Sequence, residues 1–420
     1  MINYAEYILR SYFKATEWNP DAQYSNLNRA SAAILDFAPP SALSVSVSSH
    51  PTHAFASSCG LSILPSLTGS VAYLASSVDL PRTKPSLGSL VHTFGIPALP
   101  ATPASSSRDQ LLYGQLHLPS SRLHALYARR LAPHAQLTVS STSHANPREP
   151  SDMYLAYQTD RGHYASEAAY SVADGMASAS ALFHFGVVEK GEYRGEQLKD
   201  KEKDKEKDVH STTLEQTPLN IDEEADGDGA GGLRGHFSLG GELYASAQEK
   251  SAGVSTGLRF QTLPNSHSHH SPPTVLVALL SPITGYLSGT YAATVARGLS
   301  LASRFEFNLF SYESVTTVGA EWAMHRSDKE SDEEYWDENL QELVNPIPLS
   351  ASMAISDRDP VQGYLKARVS TEKSVALQYV GRLKSLLVSL GLVADLTNPS
   401  KPVQSIGIEL QYLSQGNDAE

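Results

Sequence analysis

The chain has 420 residues, of which 41% are hydrophobic and 18% are charged, and it contains one cysteine, Cys59. A single cysteine excludes an internal disulfide and argues against a cysteine-based metal site. No apolar run reaches the ~18 residues that a membrane-spanning helix needs. We therefore expect any passage through a membrane to use a closed sheet, in which every backbone group is hydrogen-bonded.

The net charge of −13 lies almost entirely in two stretches of the chain. Residues 215–228 contain six acids and no bases, and residues 325–342 contain eight acids and two bases. The remainder is nearly neutral and has no basic stripe of the kind that binds nucleic acid. We therefore expect no nucleic-acid partner, and we interpret both acidic stretches as solvated loops.

The first 18 residues have a helical period. Tyr7, Ile8 and Tyr12 fall on one side and charged residues fall on the others, which predicts a short amphipathic helix. Its aromatic face suits either a domain core or the inner wall of a barrel. Acids and bases are equal in number here, so the helix lacks the bias of an import presequence.

From residue 43 onward, alternating segments are separated by clusters of Pro, Gly, Asn, Asp and Ser. This spacing predicts consecutive strands joined mostly by turns, and therefore antiparallel neighbours. The segments are 44–48, 68–74, 153–158, 164–170, 179–185, 241–245, 254–260, 287–293, 305–309, 349–355, 363–369, 375–379, 386–396 and 405–412.

The later strands have faces of opposite character. In the segment 363–369, Leu365 and Val369 share one face, while Lys366 and Arg368 share the other. In the segment 405–412, the apolar residues share one face and Glu409 lies on the polar face, which we expect to be the inner one. A charge facing lipid at mid-depth costs on the order of 2–4 kcal/mol, so charge-free apolar faces are what a membrane barrel requires. The pattern predicts an all-β fold, a transmembrane antiparallel β-barrel. We assign residues 1–38 to the helix and lead-in, 39–413 to the barrel and 414–420 to a polar tail.

Several stretches interrupt the strands. Residues 189–235 are of low complexity and cannot bury enough apolar surface to fold, so we predict a disordered inter-strand loop there. Residues 265–273 and 325–343 are predicted to be further loops. The Pro- and Ser-rich stretch 80–107 is predicted to be a weakly structured connection.

The last strand carries a candidate assembly signal. Ser405, Gly407, Leu410 and Tyr412 match a spacing of one polar residue, one glycine and two apolar residues. This spacing resembles the β-signal of mitochondrial outer-membrane barrels, in which the last strand pairs with the assembly machinery during insertion. An ordinary amphipathic strand also matches so loose a pattern by chance.

The amino terminus adds a family resemblance. The order Tyr12-Phe13, Trp18, Tyr24 and Leu35-Asp36-Phe37, followed by Pro and Ser-Ala, resembles the start of the fungal mitochondrial distribution and morphology protein 10 family. Residues 69–74 are similar to an early strand of that family. There Tyr73 is a candidate partner contact, and Ala75 stands where members often have a second aromatic residue.

The resemblance implies a barrel of about 19 strands like the voltage-dependent channel, with its N-terminal helix in or against the lumen. It implies a multi-pass outer-membrane protein at contact sites between the endoplasmic reticulum (ER) and mitochondria, anchoring the ER-mitochondria encounter structure. That role supports phospholipid exchange, mitochondrial morphology and inheritance. It also implies association with outer-membrane lipids and with the sorting and assembly machinery, in late assembly of other barrels including the import pore.

The sequence contains only weak matches to motifs for phosphate or metal binding. Gly227, Gly229 and Gly232 spell GxGxxG, but the tract is acidic and follows no strand. His267, His269 and His270 form a histidine-rich segment without further ligand types nearby, and are more simply solvated. We expect no catalytic residue, no cofactor and no metal.

The sequence is also compatible with two other classes of protein. One is a voltage-dependent-anion-channel-like porin for small solutes, which a uniformly basic inner face would favour. The other is a soluble multi-strand β protein whose apolar faces pack against each other.

Overall fold

The computed structural model describes residues 4–64, 66–80, 86–95, 109–145, 151–185, 235–262, 273–296, 298–325, 361–384, 386–397 and 402–415. Nineteen strands form one sheet that closes on itself. The strands are β1 (Leu43–Thr52), β2 (Phe55–Ser62), β3 (Thr68–Ser76), β4 (Gln110–Leu118), β5 (Arg122–Ala132), β6 (Ala135–Ser143), β7 (Asp152–Asp160), β8 (Tyr164–Ser171), β9 (Met176–Phe185), β10 (Gly235–Ser246), β11 (Ser251–Thr262), β12 (Thr274–Ser281), β13 (Tyr286–Ala296), β14 (Leu299–Asn308), β15 (Ser314–His325), β16 (Val361–Ser370), β17 (Ser374–Leu383), β18 (Leu386–Asp395) and β19 (Val403–Gln415).

Each strand from β2 to β18 pairs antiparallel with its sequence neighbours on both sides. The barrel closes where β1 pairs with β19, and this pair is parallel, with Leu43 opposite Ile408 and His50 opposite Gln415. An odd number of alternating strands makes a parallel pair unavoidable at the closure. The predicted fold class, a 19-stranded barrel with an N-terminal helix, is confirmed.

The two faces of the wall differ as the alternation of successive residues along each strand, here called residue parity, predicts. In β16, Leu365 and Val369 are exposed on the outside, whereas Lys366 is 2% exposed and faces the lumen. In β19, Ile408 is exposed and its neighbour Glu409 is buried inside. Side chains of a strand alternate between faces, so an apolar outside and a polar inside follow from the sequence. The closed barrel excludes a pair of packed sandwiches.

Among the described residues, three helices accompany the sheet: α1 (Tyr4–Ala15), α2 (Arg29–Leu35) and α3 (Leu87–Leu90). Short 3-10 turns at Pro20–Ala22 and Tyr24–Asn26 link α1 to α2. Within the described part of the chain, every helix is too short or too polar to cross a membrane. The predicted amphipathic helix is confirmed as α1, with Tyr7, Ile8 and Tyr12 buried.

Helix α1 lies inside the barrel near one mouth. Its aromatic face packs on wall residues that point inward, among them Ala56, Leu74 and Leu111. These lie near the mouth that holds the turns 53–54 and 133–134, here called the α1 end. The other mouth, here called the far end, holds the turns 172–175 and 247–250 and the start of β1.

Some elements differ from the sequence-based expectation. Strands β2, β4, β5, β6, β12 and β15 are not among the predicted segments, because their alternation is blurred or absent. Strand β5, for example, has Arg129 on the outside and Arg130 on the inside. The connection between β3 and β4 is more ordered than predicted over residues 86–95, where Leu87, Leu90 and Val91 are buried against α1. Apolar residues scattered among Pro and Ser gave no periodic signal for this packing.

Other predictions lie outside the described residues. They are the loops at 189–234, 265–272 and 326–343, the strand at 349–355, the tail at 416–420, the GxGxxG glycines and the three clustered histidines.

Candidate functional site

The described residues 4–42, here called the lumenal segment, run around the inside of the wall. They begin at the α1 end, contact β5, β8, β11, β14, β16 and β18, and end where β1 starts at the far end. The segment therefore crosses the depth of the barrel while following its circumference. Its contacts with the wall define the first candidate site.

Basic wall residues hold the first half of this segment. The guanidinium of Arg130 donates to the carbonyl of Thr16 and lies 5.6 Å from the ring of Trp18. Arg259 donates to the carbonyl of Asp21 at 2.9 Å. Arg130 is 1% exposed and Arg259 is 4% exposed. A buried guanidinium needs such partners because an unpaired buried charge is costly, so these contacts fix the segment to the wall.

The second half of the segment is also held by basic wall residues. Arg304 donates to both carboxylate oxygens of Asp36, at 2.8 and 2.9 Å. Arg368 donates to the carbonyl of Leu35 at 2.7 Å and lies 5.5 Å from the ring of Phe37. Bidentate arginine–carboxylate pairs are among the stronger hydrogen-bonded contacts in proteins. The lead-in to the first strand is thus fixed immediately after α2.

An ion pair is buried where α2, the wall and the β3–β4 connection meet. The ammonium of Lys366 lies 3.0 Å from the Glu321 carboxylate and also donates to the carbonyls of Ala33 and His92. The same carboxylate accepts from the backbone N–H of Phe94 at 3.1 Å. Because each charge has several partners, the pair ties three parts of the chain together in the lumen.

The imidazole of His92 lies in this surrounding of positive charge. Burial, together with the charges of Arg10 and Lys366, lowers the pKa of His92 to about 3. The ring is therefore neutral at physiological pH. A neutral ring adds no further positive charge beside Lys366.

Part of the wall is not covered by the described lumenal segment. A cavity of about 250 Å³ is bordered by inward-facing side chains of β1 to β4 and β19, including Ser46, Ser58, Ser70, Gln115 and Gln411. Apolar side chains such as Ala56, Ala72 and Leu74 line the same cavity. The lining therefore mixes polar and apolar groups.

The predicted β-signal residues all lie in β19. Ser405 and Gly407 have their side-chain positions toward the lumen, and Leu410 and Tyr412 face outward beside β1. Gly407 is directly opposite Gly391 of β18, and the backbone of the lumenal segment lies against both glycines. The structure thus places the four residues on the closing strand; their role in assembly stays a prediction.

Tyr73 lies far from the lumen contacts, on the outer face of β3. Its side chain is 57% exposed and its ring stacks on Phe55 of β2 at 5.9 Å between centroids. Phe55 is directly opposite Ala75, so an aromatic ring from the adjacent strand lies beside the small residue. The result is an exposed aromatic pair on the outer surface, and its role in partner binding stays a prediction.

Sequence reasoning found only part of the lumenal contacts. It placed Lys366, Arg368 and Glu409 on the inner face correctly, but did not single out Arg130, Arg259 or Arg304. Each of these arginines occupies an inward position in a strand, and that parity was the available signal. Their partners are mainly backbone carbonyls, which leave no mark in the sequence.

Comparison with known proteins decides the family. The family model for mitochondrial distribution and morphology protein 10 matches residues 1–359 and 325–414. The chain is 37% identical to the protein of that name from Laccaria bicolor, over 98% of this chain and 99% of the relative. The chain belongs to this family. Relatives of the same name from Coprinopsis cinerea and Phaeosphaeria nodorum are 35% and 34% identical, over 98–99% of this chain and 99–100% of their own lengths.

Membership in the mitochondrial distribution and morphology protein 10 family confirms the resemblance seen at the amino terminus. It supports a role in mitochondrial distribution and morphology. A mitochondrial protein that folds as a barrel with an apolar outer face is consistent with a location in a mitochondrial membrane.

Proposed function

We propose that this protein is a non-enzymatic barrel of the mitochondrial outer membrane that anchors the ER-mitochondria tethering complex at contact sites. In this role it supports phospholipid exchange, mitochondrial morphology and inheritance. It also associates with the sorting and assembly machinery and assists late assembly of other outer-membrane barrels, including the import pore. Its own insertion uses Ser405, Gly407, Leu410 and Tyr412.

The observation that carries the proposal is the attachment of the lumenal segment to the wall. Arg130, Arg259, Arg304 and Arg368 all bind this segment, and Lys366 binds both the segment and Glu321. An anion channel instead needs wall cations that face permeating solute. A barrel in which these five inner cations are bound to its own chain is better suited to be a membrane platform, and family membership supports the same role.

A porin is the second candidate function, and the cavity beside β1 to β4 is the observation that favours it. Inward acids such as Glu167, Glu306 and Glu321 accompany the inward bases, so the described lumen has mixed charge. Mixed charge gives little selectivity for anions.

Native purification tests the platform directly. Tagged protein would be isolated from mitochondria in mild detergent, and bound proteins would be identified by mass spectrometry, with an equally tagged porin as control. We expect tether subunits and sorting and assembly subunits with this chain and not with the porin. Recovery of the barrel alone, together with ion conductance after reconstitution, would instead establish the channel.

The outer aromatic pair supplies a sharper version of the same experiment. Tyr73→Ala removes a ring that is 57% exposed, and Tyr291→Ala removes one that is 49% exposed on the outer face of β13. If the Tyr73 face is a partner surface, only the first variant loses part of the bound set, since exposed aromatic anchors contribute strongly to interfaces. Equal recovery of bound proteins with both variants would show that Tyr73 is not part of a partner contact.

A further inference from the structure

Two glycines form a gap in the inner wall next to the closing strand pair. Gly391 and Gly407 are directly opposed across β18 and β19. A Cβ at Gly407 would lie 2.4 Å from the carbonyl oxygen of Pro40 and 2.5 Å from the amide nitrogen of Ala42. A Cβ at Gly391 would lie 2.5 Å from the same oxygen. The lumenal segment therefore crosses this pair with backbone against backbone, which only glycine permits.

The crossing is continuous with the closure of the barrel. The amide of Ile408 donates to the carbonyl of Ala42 at 2.9 Å, and the next residue, Leu43, is opposite Ile408 at the start of the parallel ladder. The position of residues 40–42 on the glycines thus determines which residue of β1 meets which residue of β19.

The crossing backbone has little freedom to move away. Arg304 and Arg368 hold Asp36 and the carbonyl of Leu35 just before it. Residues 39 and 40 are both proline, whose rings restrict φ. A side chain at either glycine would therefore displace the segment rather than be absorbed by it.

We propose that Gly391 and Gly407 are the docking site for residues 40–42, and that this docking sets the register in which β1 closes on β19. Closure of the barrel then requires the lumenal segment to lie inside first. Gly391 belongs to this device although it lies outside the assembly signal. The inference is independent of the tethering function proposed above, because it concerns contacts within one chain.

A crosslink across the closing pair tests the proposal. Ser49 and Ser414 are directly opposed in β1 and β19, and paired strand positions are close enough for a disulfide. The parent would be the full chain with Ser49→Cys, Ser414→Cys and Cys59→Ala. After carbonate extraction, mild oxidation of the protein that remains in the membrane should crosslink this parent. Adding Gly391→Val should abolish the crosslink while the chain remains inserted.

Two other glycines are matched controls. Gly60 also faces the lumen near the closure, but a Cβ there meets only the side chains of Ser70 and Ser46, at 3.0 and 3.9 Å. Gly114 faces outward with nothing within 4 Å. Gly60→Val and Gly114→Val should crosslink like the parent. A normal crosslink in Gly391→Val would overturn the proposal.

A second variant keeps the test decisive if Gly391→Val does not reach the membrane. The same parent with Arg304→Gln and Arg368→Gln added keeps both glycines but loses the side-chain contacts that hold Asp36 and Leu35. We expect a reduced crosslink in its inserted fraction. A crosslink equal to that of the parent would show that closure does not depend on the position of the lumenal segment.

Discussion

At the scale of single residues, the lumen is organised by buried charges that bind other parts of the chain. Lys366 and Glu321 have side chains only 3% and 6% exposed. Taking two ions out of water is costly, and their attraction offsets this only when further hydrogen bonds complete both groups. Here the carbonyls of Ala33 and His92 and the amide of Phe94 complete them. The pair therefore depends on the lumenal segment as much as the segment depends on the pair.

Lys366→Met should destabilise the barrel by about 3–5 kcal/mol, because it leaves the Glu321 carboxylate buried without its counterion. Urea unfolding in detergent micelles measures the change. Lys14→Met is the control, because Lys14 lies exposed on α1 and surface changes are usually within about 0.5 kcal/mol. An unchanged unfolding midpoint for Lys366→Met would contradict a structural role for the pair. Adding Glu321→Gln should recover part of the loss, since no unpaired charge then remains.

At the scale of elements, α1 shows that a short segment does not by itself determine a stable helix. A helix of 12 residues is marginal in water on its own. Its stability comes from the apolar cluster in which Tyr7, Ile8 and Tyr12 pack against inward-facing wall residues. The opposite is true of β19, whose alternation specifies the strand before any partner is present.

The last strand carries a prediction of its own. Gly407→Arg combined with Leu410→Asp should abolish membrane insertion and leave import into the organelle intact, because both changes disrupt the signal. Carbonate extraction measures insertion. Ile408→Asp is the matched control, since Ile408 also faces outward but occupies no signal position. It should insert better than the double variant despite a similar charge on the lipid face. Normal insertion of the double variant would show that insertion does not depend on these signal residues.

At the scale of the whole molecule, the wall separates two environments. Large apolar side chains such as Leu239, Leu390 and Val318 are exposed on the outside, while ion pairs and amides face the lumen. Hydrocarbon on the outside makes this arrangement stable, whereas water there would leave a wide apolar surface unsatisfied. The separation of an apolar outer face from a polar lumen thus supports both the fold and the proposed membrane location.

Leu239→Lys should destabilise the protein in phospholipid vesicles by about 2–4 kcal/mol, because position 239 is near the middle of β10 and faces outward. Gln248→Lys adds the same charge in the exposed turn after that strand and should have little effect. Urea unfolding from vesicles compares the two. Equal stabilities would show that the outer face of β10 is not in contact with hydrocarbon.

The sequence predicted the parts of this fold that rest on side-chain alternation. Residue parity assigned Lys366, Arg368 and Glu409 to the inner face, because their neighbours were uniformly apolar. It failed for β5, where arginines fall on both faces. It also could not reveal the path of the lumenal segment, because carbonyl acceptors and the approach of Pro40 to Gly391 are backbone features. Such contacts become visible only when distant parts of the chain are brought together.

The odd strand number also determines the topology of the chain ends. Because β1 and β19 are parallel, β19 ends at the α1 end, where Leu413 packs against the cluster around α1. An epitope fused after Gln415 should therefore be exposed at the α1 end. The strands that flank residues 186–234 and 326–360 also leave and re-join the sheet at this mouth. One protease-protection measurement on that epitope would thus orient both acidic connections and every hairpin relative to the bilayer.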